Sequence, residues 1–156
     1  MAYDVDFSDV TILRSGLTSA SGGKVVALAR PRFHRIGTAV RDNAKRNIKH
    51  KSGKLGNSGT VKTNAGGRSI ETVIEFKALN NGFNYALSIE YGRRGFGPKN
   101  AKALRFEIGG KVIFTQWVGP APAQYFLRRG LEQSMPVMVR EFQALEMDIV
   151  RMIEAA

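Results

Sequence analysis

The chain has 156 residues, no cysteine and a formal net charge of +11. That length suffices for one domain with its own apolar core, and the lack of cysteine excludes disulfides, thiolate metal sites and a cysteine nucleophile. No run approaches the ~20 apolar residues of a membrane span, and the acidic start MAYDVDFSDV is unlike a signal peptide, so we expect a soluble protein made and used without export.

The positive charge is concentrated in one segment. Residues 24–68 contain twelve basic residues and a single acid, Asp42, so this segment accounts for the whole net charge. The rest of the chain has equal numbers of basic and acidic residues. Such asymmetry concerns partners rather than fold, and it favours nucleic acid or an acidic protein surface.

The first 30 residues are ambiguous, and we expect them to form an N-terminal arm or extension ahead of a single domain over 31–156. Residues 5–13 suit a strand or a docking arm. Residues 15–23 form a small-residue loop that fails the phosphate-loop pattern, because Thr18 and Val25 stand where a glycine and a serine or threonine are needed.

Residues 31–49 have the periodicity of an amphipathic helix. The apolar side chains recur at three- and four-residue spacing, at Phe33, Ile36, Val40, Ala44 and Ile48. Pro31 suits the first turn, although KVVALAR before it could extend the helix with a kink.

The opposite face of this helix, with the loop beyond it, forms a set that we call the basic patch. Its members are Arg35, Arg41, Lys45, Arg46, Lys49, Lys51 and Lys54. Only Asp42 is present to form ion pairs along it. Two interpretations stay open, a solvated face and a surface that binds an acidic partner, with protein favoured over DNA.

Strand signals follow. Residues 68–78 alternate, with Ile70, Thr72, Ile74 and Phe76 on one face, as in a half-buried strand. The Asn-Asn-Gly at 80–82 indicates a turn, so residues 84–90 form a return strand or a short helical turn. ALRFEI-GG-KVIFT, residues 103–115, predicts a hairpin with a two-residue loop.

Helical signals return at the C-terminus. Residues 125–131 suit a short helix, and a second helix begins near Pro136, with Met138, Phe142, Leu145, Ile149 and Met152 on one face. The predicted class is therefore α+β, with an N-terminal helix packed on a small antiparallel sheet with hairpins, followed by C-terminal helices.

No catalytic, cofactor-binding or metal-binding site is predicted. His34 and His50 lie sixteen positions apart without acidic neighbours, and Asp4, Asp6 and Asp9 lack the glycine and closing glutamate of a calcium loop. No nucleophile is accompanied by a base. We therefore expect a protein that is not an enzyme and that needs no cofactor.

A series of short motifs occurs in a characteristic order. They are Asn43-Ala44-Lys45, Ser52-Gly53-Lys54-Leu55, Tyr85-Ala86, Ile89-Glu90-Tyr91-Gly92, Pro98-Lys99, Ala103-Leu104-Arg105-Phe106 and Pro122-Ala123-Gln124-Tyr125-Phe126-Leu127. Their order and spacing resemble the head–tail joining, or tail-completion, family of long-tailed bacteriophages over about residues 35–132. The chain departs from the family pattern at Ser52, usually threonine, at Gln124-Tyr125, often Pro-Phe, and at Gly130, usually alanine.

The resemblance implies a structural protein of the virion neck, assembled in the host cytoplasm. Such proteins form a ring, here expected to be a hexamer, between the connector and the tail tube. The implied partners are further copies of the chain, the adjacent connector or stopper protein and the tail terminator or tail-tube protein, with channel DNA as a further candidate and no membrane. Whether the chain is the completion protein or the tail terminator stays open.

The stretch NYALSIEYGRRG, residues 84–95, ends an apolar run with charged, aromatic and glycine residues. Arginine and tyrosine are common anchors of interfaces. We therefore predict inter-subunit contacts through Glu90, Tyr91, Arg93, Arg94, Tyr125 and Phe126. The alternative is that Glu90 pairs with Arg93 or Arg94 inside its own loop.

A nucleic-acid-binding module that uses residues 24–68 is the alternative function. Against it, Phe33 is the only aromatic residue of that segment, and it lies on the apolar stripe. Proteins that bind single strands usually place several aromatic platforms among their basic residues.

Overall fold

The computed structural model describes residues 10–12, 22–49, 53–66, 69–80, 83–108 and 110–154. Two long helices, α1 (Gly22–Asn47) and α4 (Phe126–Glu154), accompany a sheet of β1 (Val10–Ile12), β2 (Gly59–Gly66) and β3 (Ser69–Phe76). The shorter elements are α2 (Lys54–Asn57), β4 (Leu79–Asn80), β5 (Phe83–Asn84), α3 (Ala86–Glu90), β6 (Leu104–Ile108) and β7 (Lys111–Thr115). The predicted α+β class is confirmed.

Helix α1 is one continuous helix that contains Pro31. The extension by KVVALAR is therefore present, and the boundary expected between residues 30 and 31 lies inside the helix. Of the predicted stripe, Phe33, Ile36, Val40 and Ala44 are buried. Val25 and Ala29 continue this stripe towards the N-terminus.

The sheet is antiparallel with β3 in the centre, in the order β1-β3-β2. The alternation predicted for β3 is confirmed, since Ile70, Thr72, Ile74 and Phe76 are all buried. No strand was predicted over β2, which pairs with β3 over its whole length. Its sequence shows little apolar alternation because, of the less exposed positions Gly59, Val61 and Thr63, only Val61 carries a large apolar side chain.

The C-terminal region is a single helix, so the prediction of two helices with a break near Pro136 is wrong. Proline removes one helical hydrogen bond, but Pro136 lies on the exposed side of α4, where water can reach the carbonyl left without its donor. Buried residues on both sides of it, Leu127 and Ser134 before and Met138 and Leu145 after, hold the helix against the body.

Helices α1 and α4 approach closely where two small residues meet. A Cβ placed on Gly130 would lie 2.6 Å from the backbone N of Ala44, so an alanine does not fit there without displacing a helix. One turn further on, the Asn43 amide donates to Ser134 Oγ at 2.7 Å. Gly130, a departure from the family pattern, is thus required by the helix packing.

The β6–β7 hairpin has the predicted two-residue loop, with Ile108 opposite Lys111. Gly110 has a φ of 77°, the left-handed region that glycine favours, while Gly109 lies outside the described residues. Residues 84–90, predicted as a return strand or a short helical turn, contain the end of one and the whole of the other. Asn84 is the last residue of strand β5, and the short helix α3 begins at Ala86.

Candidate partner-binding surface

Glu90 is buried and caps the N-terminus of α4. Its Oε2 accepts a hydrogen bond from the backbone N–H of Leu127 at 2.9 Å, and its Oε1 accepts one from Arg128 at 3.2 Å. These N–H groups belong to the first turn, which has no helical acceptors for them, and a carboxylate there also interacts well with the helix dipole. Both sequence-based readings of Glu90, as an inter-subunit contact and as a partner of Arg93 or Arg94, are therefore replaced by this capping role.

The backbone completes the same junction between α3 and α4. Gln124 N donates to Ile89 O at 2.9 Å, and Tyr125 N donates to Glu90 O at 3.0 Å. Tyr125, which precedes α4, has a φ of 49°, a conformation that bulky residues rarely adopt. Its backbone hydrogen bonds hold it there, and its ring stays partly exposed.

Gly92 lets the chain leave this junction along a fixed path. Its φ is 76°, and a Cβ at this position would lie 2.7 Å from Ala121 O and 2.8 Å from Ala123 N. The next residues pair with the same segment, since Arg93 and Ala121 exchange two backbone hydrogen bonds of 2.9 Å. Phe96 and Val118 do the same. Residues 93–96 and 118–121 therefore form a rigid base for the β6–β7 hairpin.

The predicted inter-subunit residues divide into two groups. Phe126 is buried and packs edge-on against Phe76, with ring centroids 5.2 Å apart, so it belongs to the chain's own core rather than to an interface. Arg93 donates to Gly119 O at 3.0 Å and lies over the Phe96 ring. The side chains that remain on the surface are Tyr91, Arg94 and Tyr125.

The β6–β7 hairpin carries the most prominent exposed apolar surface of the described chain, and the sequence reasoning did not include it. Phe114 is 66% exposed and Trp117, just beyond the hairpin, is 60% exposed. Val112 and Ile113, on opposite faces of β7, are also exposed. The unbroken run Val112-Ile113-Phe114 was the available signal, because a strand with one wet face would alternate.

This hairpin forms its own two-stranded sheet and makes almost no contact with the other helices and strands. An isolated two-stranded hairpin is marginally stable in water. An exposed apolar patch of this kind marks an interaction site in most proteins. We therefore place the candidate interface on the hairpin and its base.

One member of the predicted basic patch, Arg35, forms an ion pair with an acidic side chain of α4. Arg35 donates to Glu141 Oε2 from Nη2 at 2.8 Å and from Nε at 3.1 Å, and Arg32 donates to the same oxygen at 3.3 Å. Arg32 also pairs with Asp148. The hydrogen bond from Arg35 holds the pKa of Glu141 below its ordinary value against the opposing effect of burial.

The same contact raises the pKa of Arg35. Arg35 therefore joins two helices of one chain, and we remove it from the set proposed to bind a partner. The acids involved lie more than a hundred positions away in sequence, so the local scarcity of acid near α1 gave no sign of them.

The rest of the basic patch lies at the surface. Arg41 pairs with Asp42 at 2.8 Å, Arg46 donates to Asn43 at 2.6 Å, and Lys45 reaches Asn57 in α2 at 3.4 Å. The contacts of Arg46 and Lys45 are exposed and the Arg41–Asp42 pair is half-buried, so these charges stay accessible to a partner. The surface members are Arg41, Lys45, Arg46, Lys49 and Lys54, and Lys51 lies outside the described residues.

Within the ranges that the structure describes, no three His, Cys, Asp or Glu side chains are grouped as a metal site would require. Neither long helix of this part is apolar enough to cross a membrane.

Five of the ordered motifs contribute residues to one core cluster, whereas Pro98-Lys99 and Ala103-Leu104-Arg105-Phe106 contribute none. Ala44, Leu55, Ala86, Ile89, Phe126 and Leu127 all belong to it. These motifs therefore specify how α1, α2, α3 and α4 pack rather than a binding pocket.

Comparison of the chain with protein-family models, with curated proteins and with solved structures finds no match. The resemblance to the phage family stays a prediction.

Proposed function

We propose that the protein is a non-enzymatic structural component of the neck of a long-tailed bacteriophage, where copies of the chain form a ring between the connector and the tail tube. The observation that carries this proposal is the β6–β7 hairpin, whose apolar side chains are exposed on both faces of β7. A hairpin of this kind needs a protein partner to cover it.

The ordered motifs support the proposal in a second way. Most of these motifs supply core residues, and Glu90 caps a helix. This is expected of a structural protein that binds its partners through its folded surface rather than through a catalytic pocket. Glu90 and Gly92 hold the base of the hairpin at a fixed place on the body. The remaining basic patch then lies on a different element, α1 with α2, and is available to an adjoining ring of the neck.

The test is removal of this chain from the phage that encodes it. Electron micrographs of the lysate should show filled heads and tails that are not joined, or tails left incomplete. Supply of the wild-type chain in trans should restore joined particles. Normal infectious particles without the chain would contradict the neck assignment.

Nucleic-acid binding is the second candidate, because Arg41, Lys45 and Lys54 stay on the surface around α2. Phosphate contacts predict an affinity that falls steeply with salt. Filter binding of the isolated chain to single- and double-stranded DNA over a salt series separates the two functions. Salt-dependent binding in the absence of any particle-assembly defect would favour this candidate.

A further inference from the structure

We propose that the β6–β7 hairpin of one copy docks on the outer face of α4 of the next copy. This inference rests on the proposed ring and names the two surfaces that build it. The docked surface consists of apolar side chains of the hairpin with basic residues at their sides, and the receiving surface consists of an apolar row with acidic residues at its sides.

The hairpin supplies the apolar and basic side of the contact. Val112, Ile113 and Phe114 are consecutive and exposed, so the described part of the chain covers neither face of β7. Arg105 and Lys111 are exposed on the two strands. Glu107 is the only acid of the hairpin. A partner surface must therefore be apolar and carry negative charge.

The outer face of α4 has that character. Met135, Val139, Met147 and Val150 are each about half exposed, and their spacing places them on one side of the helix, opposite Met138 and Leu145 of the core. Four large apolar side chains on the solvent side of one helix exceed what scattered surface residues explain.

Two acids accompany this apolar row. Glu146 and Glu154 are exposed, and neither makes an ion pair in the described part of the chain. Arg140 and Arg151 are the exposed bases between Met135 and Glu154, and Arg151 pairs with Asp148 at 4.0 Å. The whole stretch carries four acids against two bases. The chain has a net charge of +11, so exposed acidic side chains that form no ion pair and lie beside apolar side chains are uncommon in its described part. They match Arg105 and Lys111 of the hairpin in charge.

The two surfaces belong to different copies. Both are exposed in the same chain, so the hairpin does not cover its own α4. Because the surfaces differ, the contact is heterologous, and repetition of such a contact closes a ring when the rotation permits. Nucleic acid would neutralise Arg105 and Lys111 but would leave Val112 and Ile113 without an apolar partner.

Cysteine cross-linking tests the contact directly, since the wild-type chain has no cysteine. Phe114→Cys chains are mixed under mild oxidation with Val139→Cys or with Val150→Cys chains at millimolar protein. We expect a covalent heterodimer in at least one pairing, and none when Lys62→Cys replaces the α4 variant. Absence of a heterodimer in both pairings would overturn the inference.

Charge exchange provides the second arm of the test. Arg105→Glu with Lys111→Glu, and separately Glu146→Lys with Glu154→Lys, should each weaken self-association about a hundredfold in sedimentation, because like charges then face each other. A mixture of the two variants should regain wild-type association, since both contacts between them are again of opposite sign. A control with Arg30→Glu and Lys62→Glu should associate like wild type. Lack of recovery in the mixture, or DNA-dependent association of the wild type alone, would overturn the inference.

An experiment that disproves the contact between the hairpin and α4 is distinguishable from one that disproves the neck function. A neck ring in which the hairpin touches another protein would contradict this contact and leave the neck assignment in place. Particles that form normally without the chain would contradict the neck assignment, whatever the cross-linking shows.

Discussion

Glu90 and Leu127 are 37 positions apart in the sequence and are joined by a hydrogen bond of 2.9 Å from the Leu127 N–H to the Glu90 carboxylate. The contact fixes the start of α4 to the end of α3. From the same place Gly92 directs the chain into the base of the β6–β7 hairpin. The buried carboxylate of Glu90 therefore helps, together with the backbone hydrogen bonds of the same junction, to set the position of the proposed interface on the body.

Glu90→Gln should lower the free energy of unfolding by about 1–2 kcal/mol, because the amide replaces one acceptor of the helix cap with a donor. The matching fall in Tm is about 4 °C for a chain of this size. Thermal unfolding followed by circular dichroism measures it. Glu107→Gln, the same change at an exposed site of the hairpin, is the control. Equal melting temperatures for the Glu90 variant and wild type would rule out the capping role.

Gly130→Ala should destabilise the chain by about 1–3 kcal/mol, since the added methyl group would lie 2.6 Å from the Ala44 backbone and push α1 and α4 apart. Urea unfolding measures the change. Gly23→Ala, in the first turn of α1 with open space around it, should be neutral or stabilising, as alanine favours helix. A Gly130 variant as stable as wild type would show that the helices do not pack as described.

Glu141→Gln should reduce stability at neutral pH by about 2 kcal/mol, because it removes an ionic acceptor from Arg32 and Arg35. The pKa of Glu141 is lowered from 4.5 in the folded chain. Its contribution is therefore complete above that pH and is lost as the pH falls through the folded value.

Unfolding curves of the wild type and the Glu141 variant should thus converge in acid. Glu146→Gln, an exposed change on the same helix, should show no such pH-dependent difference. A stability gap for the Glu141 variant that persists unchanged in strong acid would contradict this assignment.

The triple variant Arg41→Glu, Lys45→Glu and Arg46→Glu should keep its fold, because Lys45 and Arg46 make exposed contacts and the half-buried Arg41 has its ion pair only with the neighbouring Asp42. We expect it to fail to attach to the adjoining ring, and so to fail to complement a phage that lacks the chain. Lys24→Glu, Lys62→Glu and Lys99→Glu make the same charge change at other exposed sites and should complement normally. Full infectivity of the first variant would mean that the basic patch is only a solvated face.

The elements that could be predicted from the sequence are those with a local pattern. The apolar stripe of α1 and the alternation of β3 repeat every few residues, and Gly109-Gly110 predicts the turn of the β6–β7 hairpin. The break expected at Pro136 failed because packing on both sides of that residue outweighs one lost hydrogen bond.

The roles of the site residues were harder to infer, because their partners are distant. Nothing near Glu90 in the sequence indicates the N–H groups of α4, and nothing near Arg35 indicates Glu141. The exposure of Phe114 and Trp117 depends on the few contacts that the hairpin makes with the other helices and strands, and the unbroken apolar run of β7 was the only local sign of it.

A reconstruction of the neck in the assembled virion is the decisive measurement for the proposed neck ring. We expect this chain in several symmetric copies as a closed ring, with Phe114 of each copy covered by a neighbouring subunit. Absence of the chain from the particle, or its presence as a lone copy with Phe114 in solvent, would show that the protein is not a neck ring of this kind.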